Sequence, residues 1–157
     1  MRMSRVFEMP SVADETRAVD TSVAVAALDE SHEAHRVCRS LAMRYRPALA
    51  GHAAFETFSV LTRLPGDARV DASTAGEILG LAFPDRCWLS ARQQAALLAR
   101  LPGLDVVGGA VYDALVGEAA RVNGHVLLTR DERARRTYER IGVGFEIVAG
   151  SRLAAKR

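Results

Sequence analysis

The sequence predicts a single α/β domain whose central, mostly parallel and twisted sheet has four to five short strands and helices on both faces. From residue 17 onward, short apolar segments alternate with segments of helical periodicity, an order typical of parallel sheets. The chain has 157 residues, 49% hydrophobic and 25% charged, which suits one globular domain. We assign residues 16–150 to this domain, residues 1–15 to a mobile N-terminal leader and residues 151–157 to a C-terminal tail.

The predicted elements follow one another in regular order. Predicted strands cover residues 17–20, 48–51, 86–90, 125–129 and 144–148. Predicted helices cover residues 21–28, 31–45, 52–64, 71–83, 91–101, 109–124 and 131–142. Thr74 and Glu77 have the spacing of a capping box for the fourth helix. An apolar stripe along the third helix consists of Phe55, Phe58, Leu61 and Leu64.

Composition excludes several classes of protein. No apolar segment approaches the length of a membrane span, and the N-terminus has no apolar core of a secretion signal. Cys38 and Cys87 are far apart and belong to no CxxC pair, which predicts reduced thiols in a cytoplasmic protein and no metal finger. The net charge of +2 does not by itself indicate a nucleic-acid-binding protein.

Two aspartates stand where a predicted strand gives way to a helix. Asp20 follows the first strand, and Asp131 follows the apolar segment "HVLLT". Ligands of open parallel sheets bind at the carboxyl ends of the strands, which makes both residues candidates for a site. The alternative is that each aspartate only caps a helix, because its side chain accepts from free backbone N–H groups.

Two further carboxylates stand in apolar surroundings within predicted helices. Glu56 lies among alanines and phenylalanines, where a charge is costly to bury without compensation. Its candidate partners within the helix are His52, Ser59 and Arg63. Asp113 is followed at i+4 by Gly117, a small residue that lets the helix pack closely, so we expect Asp113 along a crowded interior edge.

A cation would explain such a cluster of acids. Two unit charges about 4 Å apart repel by about 4 kcal/mol at an effective dielectric of 20. A hard divalent ion removes that penalty, and ligands that are all oxygen favour Mg²⁺ or Mn²⁺ over Zn²⁺. Bound there, such an ion polarises a phosphoryl oxygen and activates water for in-line attack.

Four segments in order resemble the motifs of the PIN domain, and specifically of VapC-type bacterial toxins. They are "VDTSV", "FETFSVLTRLP", "YDALVGEAA" and "LLTRD", and the resemblance runs from about residue 17 to 148. The family's acidic positions match the catalytic and metal-binding candidates, hereafter the four acids: Asp20, Glu56, Asp113 and Asp131. Positions that orient those carboxylates match Thr21, Ser22 and Thr129. Residues 1–15 depart from the family, whose first strand usually begins almost at the N-terminus.

The resemblance implies a Mg²⁺-dependent endoribonuclease, with Mn²⁺ as a substitute. It further implies the toxin component of a VapBC-type toxin–antitoxin system, which arrests growth by cleaving RNA. The implied partners are the RNA substrate, a cognate antitoxin and a second copy of the chain in a homodimer. Two alternatives stay open within the same fold, namely an RNA-maturation nuclease without an antitoxin and a catalytically silent binding module.

Arginines are concentrated in the last predicted helix. Lys156 is the only lysine among 21 basic residues, a bias that a GC-rich genome explains. A charged, solvated helix face is one interpretation of these arginines. The other is contact with RNA phosphates just outside the acidic site, because the planar guanidinium donates two bonds at once. Helical spacing favours Arg133 and Arg136 for that role, while Arg135 points away.

Two other phosphate-processing classes fit less well. A haloacid-dehalogenase-type phosphatase also has an aspartate after its first strand, but its second aspartate is replaced here by Ser22. A phosphoacceptor receiver domain requires a lysine at the end of a late strand, whereas the lysine of this chain lies in the C-terminal tail. The sequence therefore favours the nuclease.

Overall fold

A single sheet of five parallel strands organises the protein in the computed structural model, which describes residues 15–150. The strands are β1 (Arg17–Val19), β2 (Ala48–Ala50), β3 (Arg86–Cys87), β4 (Val126–Thr129) and β5 (Phe145–Ile147). They lie in the order β3-β2-β1-β4-β5, and every neighbouring pair is parallel. The predicted α/β fold class with a parallel sheet is therefore confirmed. The predicted leader, apart from Glu15, and the predicted tail lie outside the described residues.

Within residues 15–150, seven α-helices connect or follow the strands. They are α1 (Thr21–Leu28), α2 (His35–Tyr45), α3 (His52–Leu61), α4 (Ala72–Ala82), α5 (Ala91–Arg100), α6 (Ala110–Val122) and α7 (Arg135–Ile141). Every residue of β1 and β2 is buried, which means that both faces of the central sheet are covered. Within residues 15–150, no helix is both long and apolar enough to cross a membrane.

The central strands determine where side chains that follow them lie. β1 pairs with β2 on one side and with β4 on the other, and Val19 is in register with Leu49 and Leu128. The carboxyl ends of these strands therefore meet at one edge of the sheet. Asp20 directly follows β1 at this edge, and Thr129 ends β4 beside it.

Several predicted boundaries are corrected by local side-chain hydrogen bonds. The second helix begins at His35 and not at residue 31, because Asp29 accepts from the backbone and hydroxyl of Ser31 and holds the chain in a turn. The capping box predicted at Thr74 is wrong. Asp71 is the N-cap residue of α4, and its carboxylate accepts from the backbone N–H and the hydroxyl of Thr74.

The apolar stripe predicted for the third helix is also wrong in part. Phe55 is 63% exposed and Phe58 37% exposed, whereas Ala53, Thr57 and Leu61 are buried. α3 packs closely on α1, and the small side chains of Ala53 and Thr57 leave room for that contact. The two phenylalanines therefore face outward.

α6 packs closely against α7, as the small residues after Asp113 predict. A Cβ atom added to Gly117 would lie 3.0 Å from Cδ1 of Tyr138, so a glycine at this position makes the contact possible. Glu118, on another side of α6, is buried between two arginines: Arg100 and Arg121 lie 2.9 and 2.8 Å from its Oε1. That ion pair joins α5 to α6 and is separate from the acids at the sheet edge.

Candidate active site

Asp20 is the most deeply buried of the four acids, with 4% of its surface exposed. It is the N-cap residue of α1, and its Oδ1 accepts from the backbone N–H of Val23 at 3.2 Å and from the Ser22 hydroxyl at 2.5 Å. Its Oδ2 accepts from the Thr129 hydroxyl at 2.5 Å and from the Tyr138 hydroxyl at 3.0 Å. Asp20 thus caps a helix and also connects β1 with β4 and α7.

Burial and hydrogen bonding act on Asp20 in opposite directions. Removal from water raises the pKa of Asp20 above its ordinary value, whereas its four hydrogen-bond donors favour the charged form. A carboxylate that accepts four hydrogen bonds has no position left for a proton of its own. The geometry is therefore that of an ionised Asp20.

The hydroxyls of Ser22 and Thr129 connect Asp20 to the chain after β4. The Ser22 hydroxyl, which donates to Asp20, accepts from the backbone N–H of Arg130 at 2.7 Å. The Thr129 hydroxyl, which is fully buried, accepts from the backbone N–H of Asp131 at 3.0 Å. Both hydroxyls therefore link the carboxylate of Asp20 to the backbone that follows β4.

Glu56 is held from two sides near the start of α3. The Thr21 hydroxyl donates to its Oε2 at 3.1 Å, and Nε2 of His52 lies 3.3 Å from its Oε1. Thr21 directly follows Asp20, so this bond brings α3 against the end of β1. His52, one of the partners considered from the sequence, is the one that Glu56 contacts.

Asp131 lies between the end of β4 and the start of α7. It does not cap α7, because that helix begins at Arg135 and its N-cap residue is Ala134. The Oδ1 of Asp131 instead accepts from the backbone N–H of Arg133 at 2.9 Å, and the Arg133 side chain lies 3.5 Å away. The helix predicted from residue 131 therefore begins four residues later, because Asp131 holds this segment in a turn.

Asp113 is half-buried in the first turn of α6, and its charge interacts with the other three acids. Burial, followed by the charges of Asp131, Asp20 and Glu56, raises the pKa of Asp113 to about 6. The positive charge of Arg133 opposes this rise. Within residues 15–150 the side chain of Asp113 makes no hydrogen bond.

The four acids interact through their charges, but their side chains do not converge on a common point. Among residues 15–150, no three acidic, histidine or cysteine side chains are placed so that they hold a metal ion together. The chemistry of the donors nevertheless fits Mg²⁺ or Mn²⁺, because the ligands are all oxygen and their mutual repulsion disfavours the charged form of Asp113. A divalent cation relieves that repulsion.

The arginines after Asp131 differ in their surroundings. The Arg133 side chain is 95% exposed, and Arg136 is exposed as well. Arg135 lies 3.5 Å from Glu132, while Arg140 is bound to the backbone and side chain of Asp105. Arg133 also lies 3.5 Å from an acid, Asp131, but its side chain is twice as exposed as that of Arg135, at 95% against 47%. Arg133 and Arg136 are therefore the most accessible candidates of this group.

Tyr138 is the residue of the site that the sequence interpretation missed. It is 1% exposed and donates to Asp20 across 118 positions of the chain. Ala134, Tyr138 and Ile141 recur at i, i+4 and i+7 and form the buried side of α7, a periodicity that would have placed the tyrosine inside. Its contact with Asp20 depends on the packing of α6 and α7.

Comparison with known proteins gives consistent matches. The sequence model of the PIN domain matches residues 17–140. Ribonuclease VapC27 of Mycobacterium tuberculosis (strain ATCC 25618 / H37Rv) is 45% identical over 132 residues, which cover 84% of this chain and 96% of the relative. Ribonuclease VapC40 of Mycobacterium tuberculosis (strain CDC 1551 / Oshkosh) is 42% identical over 132 residues, covering 83% of this chain and 98% of the relative.

Proposed function

Because the chain belongs to the PIN-domain family and to its VapC group, we propose that it is a Mg²⁺-dependent endoribonuclease and the toxin of a VapBC-type toxin–antitoxin system. The observation that carries this proposal is the position of Asp20. Asp20 is a buried carboxylate at the end of the central strand β1. The Thr129 hydroxyl connects it to Asp131, because it donates to Asp20 and accepts from the backbone N–H of Asp131. Glu56 lies nearby, where it accepts from the hydroxyl of Thr21. The similarity to two proteins named ribonuclease supports RNA as the substrate.

The four acids would hold the cation, and Mn²⁺ would substitute for Mg²⁺ at the same oxygen ligands. When bound, such an ion supplies Lewis acidity to the phosphate and lowers the pKa of the attacking water. Hydrolysis adds the hydroxyl of that water to phosphorus and its proton to the departing ester oxygen, so that one P–O bond forms and one breaks. Asp20 contributes a fixed carboxylate to this site, because its hydrogen bonds leave it little freedom.

The orienting residues act through the carboxylates that they contact. Ser22 and Thr129 hold the two oxygens of Asp20, and Thr21 holds Glu56 against the end of β1. Arg133 lies beside Asp131, and Arg136 is exposed one turn further along the chain. We include both arginines as contacts to RNA phosphates, since a guanidinium binds phosphate through two donors at once.

Two exposed apolar surfaces support the proposal of two protein partners, an antitoxin and a second copy of the chain. Large exposed apolar patches on a monomer mark interaction sites. The first, the aromatic surface, consists of Phe55, Trp88, Leu98 and Tyr112, which are between 50% and 68% exposed. The second, the α2–α4 groove, has a volume of about 600 Å³ and is lined by Met43, Leu81 and Phe83 together with Arg39 and Arg46.

The charges of these two surfaces suggest which partner each one binds. Pairing two α2–α4 grooves would bring like-charged arginines together, whereas an antitoxin segment with acidic residues would complement them. The pockets beneath the aromatic surface have no aspartate, glutamate, lysine or arginine in their lining, so this surface suits a second copy of the chain in a homodimer. We place the protein in the cytoplasm, where RNA is available and the buried thiols of Cys38 and Cys87 remain reduced.

The test of the proposed function is cleavage of single-stranded RNA by purified protein with Mg²⁺, with Mn²⁺ and with EDTA. We expect cleavage with either cation, none in EDTA, and a loss of at least about a hundredfold in Asp113→Asn, because one ligand of the site is removed. Asp67→Asn is the matched control, since Asp67 is an exposed acid in a separate turn. Expression without the antitoxin should arrest growth, and Asp113→Asn should relieve that arrest.

Each alternative function has its own outcome in this experiment. Cleavage by wild type without growth arrest would indicate an RNA-maturation nuclease. RNA binding without cleavage under any cation would indicate a silent binding module. Undiminished cleavage in EDTA by both wild type and Asp113→Asn would contradict the metal mechanism.

A further inference from the structure

The Tyr138 side chain is buried beside Asp20. Its ring packs on Gly117 of α6, and the centroid of the Phe145 ring lies 5.9 Å from its own. Its hydroxyl donates to Oδ2 of Asp20 at 3.0 Å. A phenol carries one O–H donor, and in this geometry that donor is directed at Asp20.

The four donors to Asp20 fill its capacity to accept hydrogen bonds. A carboxylate offers about four lone-pair positions in all. In this structure they are taken by the hydroxyls of Ser22, Thr129 and Tyr138 and by the backbone N–H of Val23. A cation would therefore gain a lone pair of Asp20 only when one of these donors gives up its position.

Three of the four donors are fixed by a second bond or by the backbone. The Ser22 hydroxyl also accepts from the backbone of Arg130, and the Thr129 hydroxyl also accepts from the backbone of Asp131. The Val23 N–H belongs to the first turn of α1. Displacing the Ser22 or Thr129 hydroxyl also takes a partner from a part-buried backbone N–H, and displacing the Val23 N–H unwinds a helix end; both are costly.

The Tyr138 hydroxyl has no such second role. Among residues 15–150 it makes one hydrogen bond, the one to Asp20. Moving the phenol oxygen away from Asp20 breaks this one hydrogen bond, whereas moving the Ser22 or Thr129 hydroxyl breaks two. Tyr138 is therefore the donor that Asp20 releases at the smallest cost.

We propose that the Tyr138 hydroxyl is a placeholder, which occupies on Asp20 the position that a divalent cation takes and competes with the cation for it. This inference rests on the proposed function, because it concerns the same site. It makes Tyr138 a residue that regulates cation affinity and not a ligand. In the metal-free protein the Tyr138 hydroxyl is also the fourth hydrogen-bond donor to the buried charge of Asp20.

The test is the dissociation constant for Mg²⁺ and for Mn²⁺ by calorimetry in wild type, Tyr138→Phe and Thr129→Val. Loss of the competing hydrogen bond should make Tyr138→Phe bind each cation about tenfold more tightly. Thr129→Val should bind more weakly, because it loses a donor that orients Asp20. Tyr45→Phe is the matched control and should equal wild type, since its ring contacts Arg17 and Arg44 at another part of the fold.

Equal or weaker binding by Tyr138→Phe would overturn the placeholder and leave the cation site itself standing. Absence of cation binding by both wild type and Tyr138→Phe would overturn the proposed function as well. A second measurement uses wild-type protein with tyrosine labelled at ring carbon ζ for NMR. Addition of Mg²⁺ should shift the Tyr138 resonance and leave that of Tyr45 in place, and an unmoved Tyr138 resonance at saturation would contradict the proposal.

Discussion

The inner and outer ends of the candidate site are held by different forces. At the inner end, Asp20 is buried and accepts hydrogen bonds from four donors. At the outer end, Asp113 is half-buried, and its side chain makes no hydrogen bond within residues 15–150. Burial raises the pKa of Asp113 most, and the charges of the other three acids raise it further.

This difference means that hydrogen bonds stabilise one end of the site, while repulsion between carboxylates destabilises the other. Hydrogen bonds to Asp20 tie β1 to β4 and α7, so the inner end contributes to the fold with or without a cation. Repulsion among carboxylates at the outer end opposes the metal-free fold, and a cation removes it. The inner end is therefore arranged in advance, while the outer end depends on the ion.

The largest expected effect is a difference in the free energy of unfolding between a variant of the inner end and a variant of the outer end, both measured in EDTA at pH 7. Thr129→Val removes a buried donor to Asp20 and leaves the Asp131 N–H unpaired, so we expect a loss of about 1–3 kcal/mol. Asp113→Asn removes a repelled charge and should equal or exceed wild type. Because the folded pKa of Asp113 is raised to about 6, its ionised form above that pH lowers stability, and the amide escapes this penalty.

Urea denaturation of both variants and of wild type measures this difference. The comparison requires that the free energy of unfolding falls with urea concentration at the same slope in all three proteins. A comparable loss in the two variants would mean that Asp113 also supports the fold. The distinction between the ends would then be wrong.

A smaller effect is expected at the outer rim, where Arg133 lies beside Asp131. If Arg133 and Arg136 contact RNA phosphates, each lost contact should weaken binding to all sequences alike. It should also flatten the slope of log affinity against log salt by about 0.7 for a single strand. Arg135→Gln is the control, because the Arg135 side chain is only half as exposed as that of Arg133 and lies beside Glu132. Equal slopes for wild type and the double variant Arg133→Gln/Arg136→Gln would leave these arginines as a solvated face.

The parallel sheet and the residues at its edge follow from patterns within single elements. Asp20 follows β1 and Asp131 follows β4, and the alternation of apolar and helical segments was sufficient to predict both at one edge of the sheet. Tyr138 was missed because its role depends on the packing of α7 against α6. The outward position of Phe55 was missed for a similar reason, since α3 turns its small side chains toward α1 and leaves its largest ones at the aromatic surface.

The most direct test of the cation site counts the protons released when Mg²⁺ binds. Calorimetry in two buffers of different ionisation enthalpy, at pH 6 and at pH 8, gives this number for metal-free wild type and Asp113→Asn. With the pKa of Asp113 at about 6, wild type should release about half a proton per ion at pH 6 and almost none at pH 8, because the ligand must be ionised to bind. Asp113→Asn should bind more weakly and release none at either pH. Binding by wild type without proton release at pH 6, or equal release by Asp113→Asn, would contradict the account that the four acids share one cation.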